Sequence, residues 1–163
     1  KKNKDLDYDR DGLWSRSGVV DQRLLDKLLA DPYFSQASPK STGVEYFNLD
    51  WLAQHLTGKE KPEDVQRTLI ELTVMSISDS ILENETVYLC GGGVHNLFLV
   101  ERLSYQNPNN KITTTHDLGV HVDYVEAAAF AFFAKQTLLG LPANLPAVTG
   151  AKQSRILGAI YAI

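Results

Sequence analysis

A single cysteine, Cys90, serves the whole chain, which excludes an intrachain disulfide and fits a reducing compartment. Basic residues are in the minority. The 16 Lys and Arg against 20 Asp and Glu leave a net charge of −4 and a pI near 5.5, and no Lys/Arg cluster offsets this, which argues against a nucleic-acid-binding face. No apolar run is long enough to cross a membrane as a helix and no secretory signal stands at the start, so the expectation is a cytoplasmic protein without a membrane partner. Methionine is nearly missing too: the chain opens at Lys1 and Met75 stands alone, from which we expect a processed piece or one part of something larger. Repeats, low-complexity tracts and heptad seams are also absent. What is present, 163 residues with 44% hydrophobic and 22% charged, suits one globular domain with a sizeable core.

Turn chemistry and periodicity divide the chain. After a charged opening, Lys1 to Ser17, with a turn signal at Asp9-Arg10-Asp11-Gly12, Asp21 caps a short helix whose apolar stripe is Leu24, Leu25, Leu28 and Leu29. Asp31-Pro32 ends it; Pro39 to Gly43 is a loop, and Leu49 to Leu56 a second short helix. Pro62, followed by Glu63 and Asp64, opens the longest helix, to about Glu83, with Val65, Leu69, Leu72 and Ile77 or Ile81 inward. A strand at Val87, a helix from about His95 to Tyr105, a strand Lys111 to Thr115, a helix Val122 to Leu139 and a closing strand Ile156 to Ala162 complete the order. The alternation of helix and strand predicts an α/β fold with part of a parallel sheet. Three short strands are few for so many helices, which again suggests strands supplied from elsewhere.

Chemistry concentrates at few places. Val87-Tyr88-Leu89-Cys90 runs into Gly91-Gly92-Gly93 and then into an amphipathic segment. Glycines at a strand-to-helix corner let a ligand reach backbone N–H groups at the positive end of a helix, as phosphates and nucleotides require. The triplet matches neither the dinucleotide fingerprint nor the P-loop, so alone it also describes a simple corner. Glu126 lies in a helix apolar around most of its circumference, where burial is expected and a carboxylate needs a partner or ligand. Asp123 and Glu126 have capping-box-like spacing, and locally the cap reading is preferred. His116 and His121 are spaced unlike metal ligands, and Cys90 has no base at a recognisable spacing, so it reads as a small buried hydrophobe. Lys40-Ser41-Thr42-Gly43 reads as a turn. Trp14, Trp51, Tyr33, Phe34, Tyr46 and Phe47 read as packing for the loop-rich N-terminal half.

The combination is more specific than its parts. Asp31-Pro32-Tyr33-Phe34, Pro39 to Asn48, Cys90-Gly91-Gly92-Gly93, Thr114-Thr115-His116-Asp117-Leu118-Gly119, Glu126-Ala127-Ala128-Ala129-Phe130-Ala131 and Gly140 to Ala151 occur in this order. Together they closely resemble the C-terminal part of the anhydro-N-acetylmuramic acid kinase family, from about Tyr8 to Tyr161.

The resemblance implies most of the C-terminal lobe of a two-lobe, actin-like ATPase (ribonuclease H-like) fold, helix-rich with a short mixed or parallel sheet. It implies an N-terminal lobe absent from this chain. Such enzymes use ATP, Mg2+ and water to open the 1,6-anhydro ring of anhydro-N-acetylmuramic acid and phosphorylate O6, in bacterial cell-wall recycling. Gly91, Gly92 and Gly93, with His95 and Asn96, match the family's nucleotide-side loop, and Glu126 matches an acid expected to face the sugar, which reverses the local cap reading. No residue here matches the family's general base or its phosphate loop, so no catalytic residue is assigned and the chain alone is expected to be inactive. Lys40, Ser41 and Thr42 match a motif without an assigned role. The alternatives are a nucleotide-binding or interaction module derived from the lobe, or another sugar kinase of this fold. A carboxylate-pair hydrolase is weaker. Exposed sheet edge and apolar surface would favour self-association, including a homodimer.

Overall fold

The computed structural model describes residues 8–161. Helices α1 (Leu13–Ser17), α2 (Gln22–Leu29), α3 (Leu49–Ala53) and α4 (Pro62–Ser78) precede a strand–helix–strand unit, β1 (Thr86–Leu89), α5 (Leu97–Gln106) and β2 (Lys111–Thr114). Helices α6 (Val125–Leu138) and α7 (Pro146–Thr149) follow. The result is a helix-rich α/β fold with a small parallel sheet.

Helix α2 starts where Asp21 accepts the Leu24 N–H at 3.1 Å, and it turns Leu24, Leu25 and Leu28 into the core. Their partner is Leu72 of α4, with Val20, Leu29, Phe34, Trp51, Leu52, Leu56, Val65 and Leu69 around them. Helix α4 starts at Pro62, whose missing N–H costs nothing at a first helical position, and carries Glu63 and Asp64 in its first turn. Asp64 reaches out to accept the Val19 N–H at 2.7 Å, and Thr68 accepts the Asp21 N–H at 3.0 Å, so α4 also holds the entry to α2. Its other side presents Ile70 and Val74 to Phe98 and Leu103 of α5. Thus α4 is shared by two apolar clusters.

Strands β1 and β2 are parallel, with Thr86 opposite Lys111 and Leu89 opposite Thr114, and α5 makes the crossover. Both strands therefore end at the same edge. Each runs there into a 3-10 turn, Gly92–His95 after β1 and Thr115–Leu118 after β2.

Several expectations need correction. Helix α4 stops at Ser78 rather than near Glu83; Asp79 to Ile81 close it with tightening turns, and Asn84 adopts a positive φ of 63°. Residues Ile156 to Tyr161 form no strand, and Ala162 lies outside the described residues. Instead Leu157 O accepts a hydrogen bond from Thr137 of α6, and just before the segment Arg155 O accepts from the Ala143 N–H at 3.1 Å. The loop from Gly140 contains a short helix, α7, and the charged opening contains α1. Cys90 is exposed, because it sits past the last paired residue of β1. Helix α6, expected to be buried, buries no residue at all.

Candidate functional site

The glycine corner lies at the shared edge of the two strands. Gly91 takes φ +78° and ψ −177°, a backbone that side-chain-bearing residues avoid, and this turns the chain out of the strand. Around Gly91 and Gly92 the space is open: a Cβ at either would meet nothing within 4 Å. The N–H groups of Gly92 and Gly93 open the 3-10 turn and have no acceptor among the described residues. Donors without acceptors beside open space are what an anionic or hydroxyl-rich ligand needs.

The second corner is joined to the first. Gly91 N–H donates to Val122 O at 2.9 Å. His95 Nε2 lies 2.8 Å from Asp123 Oδ1, and Asp123 N–H donates to His121 Nδ1 at 3.3 Å. The His121 ring stacks near Tyr124 at 5.0 Å and stands edge-on to His116 at 6.5 Å. Thr115 Oγ1 at this edge is buried without a hydrogen-bond partner among the described residues. Glu126 follows at the start of α6, exposed, its carboxylate unpaired among the described residues. The expected Asp123/Glu126 cap is not formed: Tyr124 is the N-cap residue, no side chain caps the helix, and Asp123 is turned to the two imidazoles.

Asn96 points another way. Its Oδ1 accepts the Leu99 N–H at 3.0 Å, capping α5, and its side chain sits over Gly12, where a Cβ would overlap both Asn96 Oδ1 and Phe98 Cβ. Glycine at position 12, with φ +71°, is thus a packing requirement of α5.

A model of the family described as anhydro-N-acetylmuramic acid kinase matches residues 1–163. The chain belongs to the anhydro-N-acetylmuramic acid kinase family. Proteins of that name from Coxiella burnetii (strain RSA 493 / Nine Mile phase I) and Nitrosomonas europaea are 49% and 52% identical to it over 98% of its length. One from Pseudomonas syringae pv. syringae is 50% identical over 94%. The chain spans less than half the length of these relatives, 44% to 45%.

The remaining family motifs fall elsewhere. Lys40 Nζ donates to the carbonyls of Tyr33 and Phe34 at 3.1 and 3.0 Å and lies 4.9 Å over the Tyr33 ring, so its charge stitches the loop to the end of α2. Ser41 and Thr42 are exposed. Tyr33, Phe34, Tyr46, Phe47 and Trp51 form a chain of ring contacts 4.8 to 6.3 Å apart, as packing aromatics should. Asp31 sits beneath them and accepts from the Tyr33 N–H, the Tyr46 hydroxyl and the Trp51 indole, each at 2.9 Å at its nearest. Trp14 is not in this group. The glycine corner, the second corner and the start of α6 that carries Glu126 meet at one edge, while the Pro39 loop meets the segment around Ala147 and Gly150 elsewhere. The His95–Asp123 contact escaped sequence reasoning, because a pairing across 28 residues has no periodic signal.

Among the described residues no cluster of three or more His, Cys, Asp or Glu side chains could cage a metal. No described helix is long and apolar enough to cross a membrane.

Proposed function

We propose that this chain is the nucleotide-side and sugar-side wall of an ATP-dependent kinase. The longer protein would open 1,6-anhydro-N-acetylmuramic acid with water and transfer the γ-phosphoryl group to O6, giving N-acetylmuramic acid 6-phosphate and ADP. The observation that carries the proposal is convergence: the open glycine corner and Glu126 stand at the carboxyl edge of a parallel sheet, where open α/β folds bind ligands.

In this reading Gly91, Gly92 and Gly93, with the backbone of His95 and Asn96, receive the nucleotide. The open space at Gly91 and Gly92 and the unanswered N–H groups of Gly92 and Gly93 fit such a group. Glu126 faces the sugar, where an unpaired carboxylate can accept hydrogen bonds from hydroxyl groups or water. Mg2+ would be held through the phosphates and water, which needs few protein ligands and suits the lack of a caging cluster among the described residues. ATP supplies the phosphoryl group; the residues here bind and orient, which is most of what phosphoryl transfer asks of a protein. The architecture is then most of the C-terminal lobe of an actin-like fold, in a cytoplasmic protein, with the other lobe completing the cleft.

The test is phosphoryl transfer by the full-length protein, comparing the anhydro sugar with open-ring hexoses. Phosphorylation of the anhydro sugar alone supports the assignment; transfer to an open-ring hexose in preference to it overturns it. Gly92→Ala localises the nucleotide. Its Cβ meets nothing in the protein, so folding stability should hold, while the KM for ATP rises about tenfold through loss of close approach. An unchanged KM removes the glycine corner from the nucleotide site.

A further inference from the structure

Helix α6 has few ways to know where the glycine corner is. It buries no residue of its own, and along its length a pocket lined by Phe130, Phe133, Thr137, Leu157 and Ile160 lies between it and the segment Leu157 to Ile160. Two bonds tie its start to the corner: Gly91 N–H to Val122 O at 2.9 Å, and His95 Nε2 to Asp123 Oδ1 at 2.8 Å. Both end within four residues of Glu126. The first uses the backbone that any residue offers. The second requires these two side chains.

Asp123 stands at the residue before the N-cap, a position from which a carboxylate could answer the open N–H groups of the helix. It does not do so. No side chain caps α6, and Asp123 is held between His95 on one side and His121 on the other. The helix start is left without a cap while its nearest acid bridges to another element. A residue there for helix stability alone would have been placed the other way.

We infer that the His95–Asp123 bond is a positioning bridge between the two ligand sites. It fixes the first turn of α6, and with it Glu126, against the corner, so that nucleotide bound at the glycines and sugar bound at Glu126 strengthen one another. His95 and Asp123 are positioning residues here; neither needs to touch the reacting atoms. The inference rests on the assignment of the corner to nucleotide and of Glu126 to sugar.

The test is calorimetric titration of the full-length protein with a non-hydrolysable ATP analogue, with and without saturating anhydro sugar. Because linkage is reciprocal, the ratio of the two affinities measures the coupling between sites. The wild-type protein should bind the analogue more tightly when sugar is present. His95→Ala should bring that ratio down about fivefold or to one, the scale of a hydrogen bond between exposed side chains. His95→Gln, whose amide N–H reaches a comparable distance, should recover most of it. A purely structural role would lower the melting temperature or the active fraction in His95→Ala and leave the ratio untouched. A ratio equal in all three proteins overturns the inference, as does a wild-type ratio of one. If the wild-type protein binds neither the analogue nor the sugar, the functional assignment itself falls, and the inference with it.

Discussion

Helices α4 and α6 are the two longest among the described residues, 17 and 14 residues, and their fates are opposite. Helix α4 mixes Glu, Asp, Gln, Arg, Thr and Ser with its apolar residues, yet buries Thr68, Ile70, Glu71, Leu72 and Val74. Helix α6 is mostly Ala, Phe, Val and Leu, and leaves Phe130 65% and Phe132 49% exposed. Apolar content therefore does not decide burial; arrangement and neighbours do. On α4 the apolar residues lie where α2 and α5 can meet them, and polar residues remain for the other directions. On α6 every direction is apolar, so a single neighbour could not satisfy it. Such a surface calls for cover on several sides, and the family relatives are more than twice as long as this chain.

The strongest way to break the contrast is to attack α4 from within. Glu71 is only 8% exposed and accepts a two-pronged bond from Arg102, at 3.2 and 2.7 Å, while Arg67 stands 3.4 Å away and over the Phe98 ring. Burial holds the Arg67 pKa below its ordinary value despite Glu71, the sign of a guanidinium with too little water. Glu71→Ala would leave two guanidinium groups facing each other in a half-dry seam. We expect a loss of about 3 kcal/mol in chemical denaturation, with Glu71→Gln between it and the wild type. A loss under about 1 kcal/mol would mean that water already screens the seam, and that α4 is less enclosed than its burial indicates.

A smaller effect should come from Asp31, where the aromatic loop is pinned to the same core. Burial alone would raise its pKa, but hydrogen bonds from the Tyr33 N–H, the Trp51 indole and the Tyr46 hydroxyl prevail and hold it below its ordinary value. With a folded-state pKa under the unfolded one, the native protein binds fewer protons at this site. The stabilisation is therefore present above the ordinary carboxylate range and disappears as pH falls through the lowered value. Glu60, held down to about 2 by the Thr57 N–H and its turn neighbours, belongs to the same class and has the same sign of pH dependence in the turn before α4. Trp51→Phe keeps the ring packing and removes one donor to Asp31. It should cost about 1 kcal/mol at neutral pH and move acid unfolding to higher pH. An unmoved acid transition would detach Asp31 from the stability of this half.

The same contrast explains what could be read from residues alone. Asp21 before a leucine stripe, Pro62 before two acids, and three glycines after a β-rich run each carry a local cause, and each forms where expected. What was not legible depends on neighbours far along the chain. Ile156 to Tyr161 has the composition of a strand, but the segment lies against α6, where Leu157 O accepts from Thr137. Asp123 has the spacing of a cap, but His95 reaches it first. Lys40 lies in the turn expected of its neighbours, but the carbonyls its ammonium donates to, those of Tyr33 and Phe34, carry no signal in the residue types.

The smallest expected effect is the sharpest test of α6. Phe130 is nearly two-thirds exposed, and it touches Phe133 of its own helix, with ring centroids 6.0 Å apart. Phe130→Ala should change the stability of these 163 residues by less than about 0.5 kcal/mol, since little buried surface is removed. The same change in a protein of the relatives' length should cost about 3 kcal/mol, the usual loss for a phenylalanine taken from a packed core. Measuring both by denaturation separates two meanings of an apolar exposed helix. A difference between them says that α6 is a core element whose partners lie outside this sequence. Equal, small losses in both would say instead that the apolar surface stays exposed in the longer protein, and a second copy of the chain becomes the better candidate to cover it.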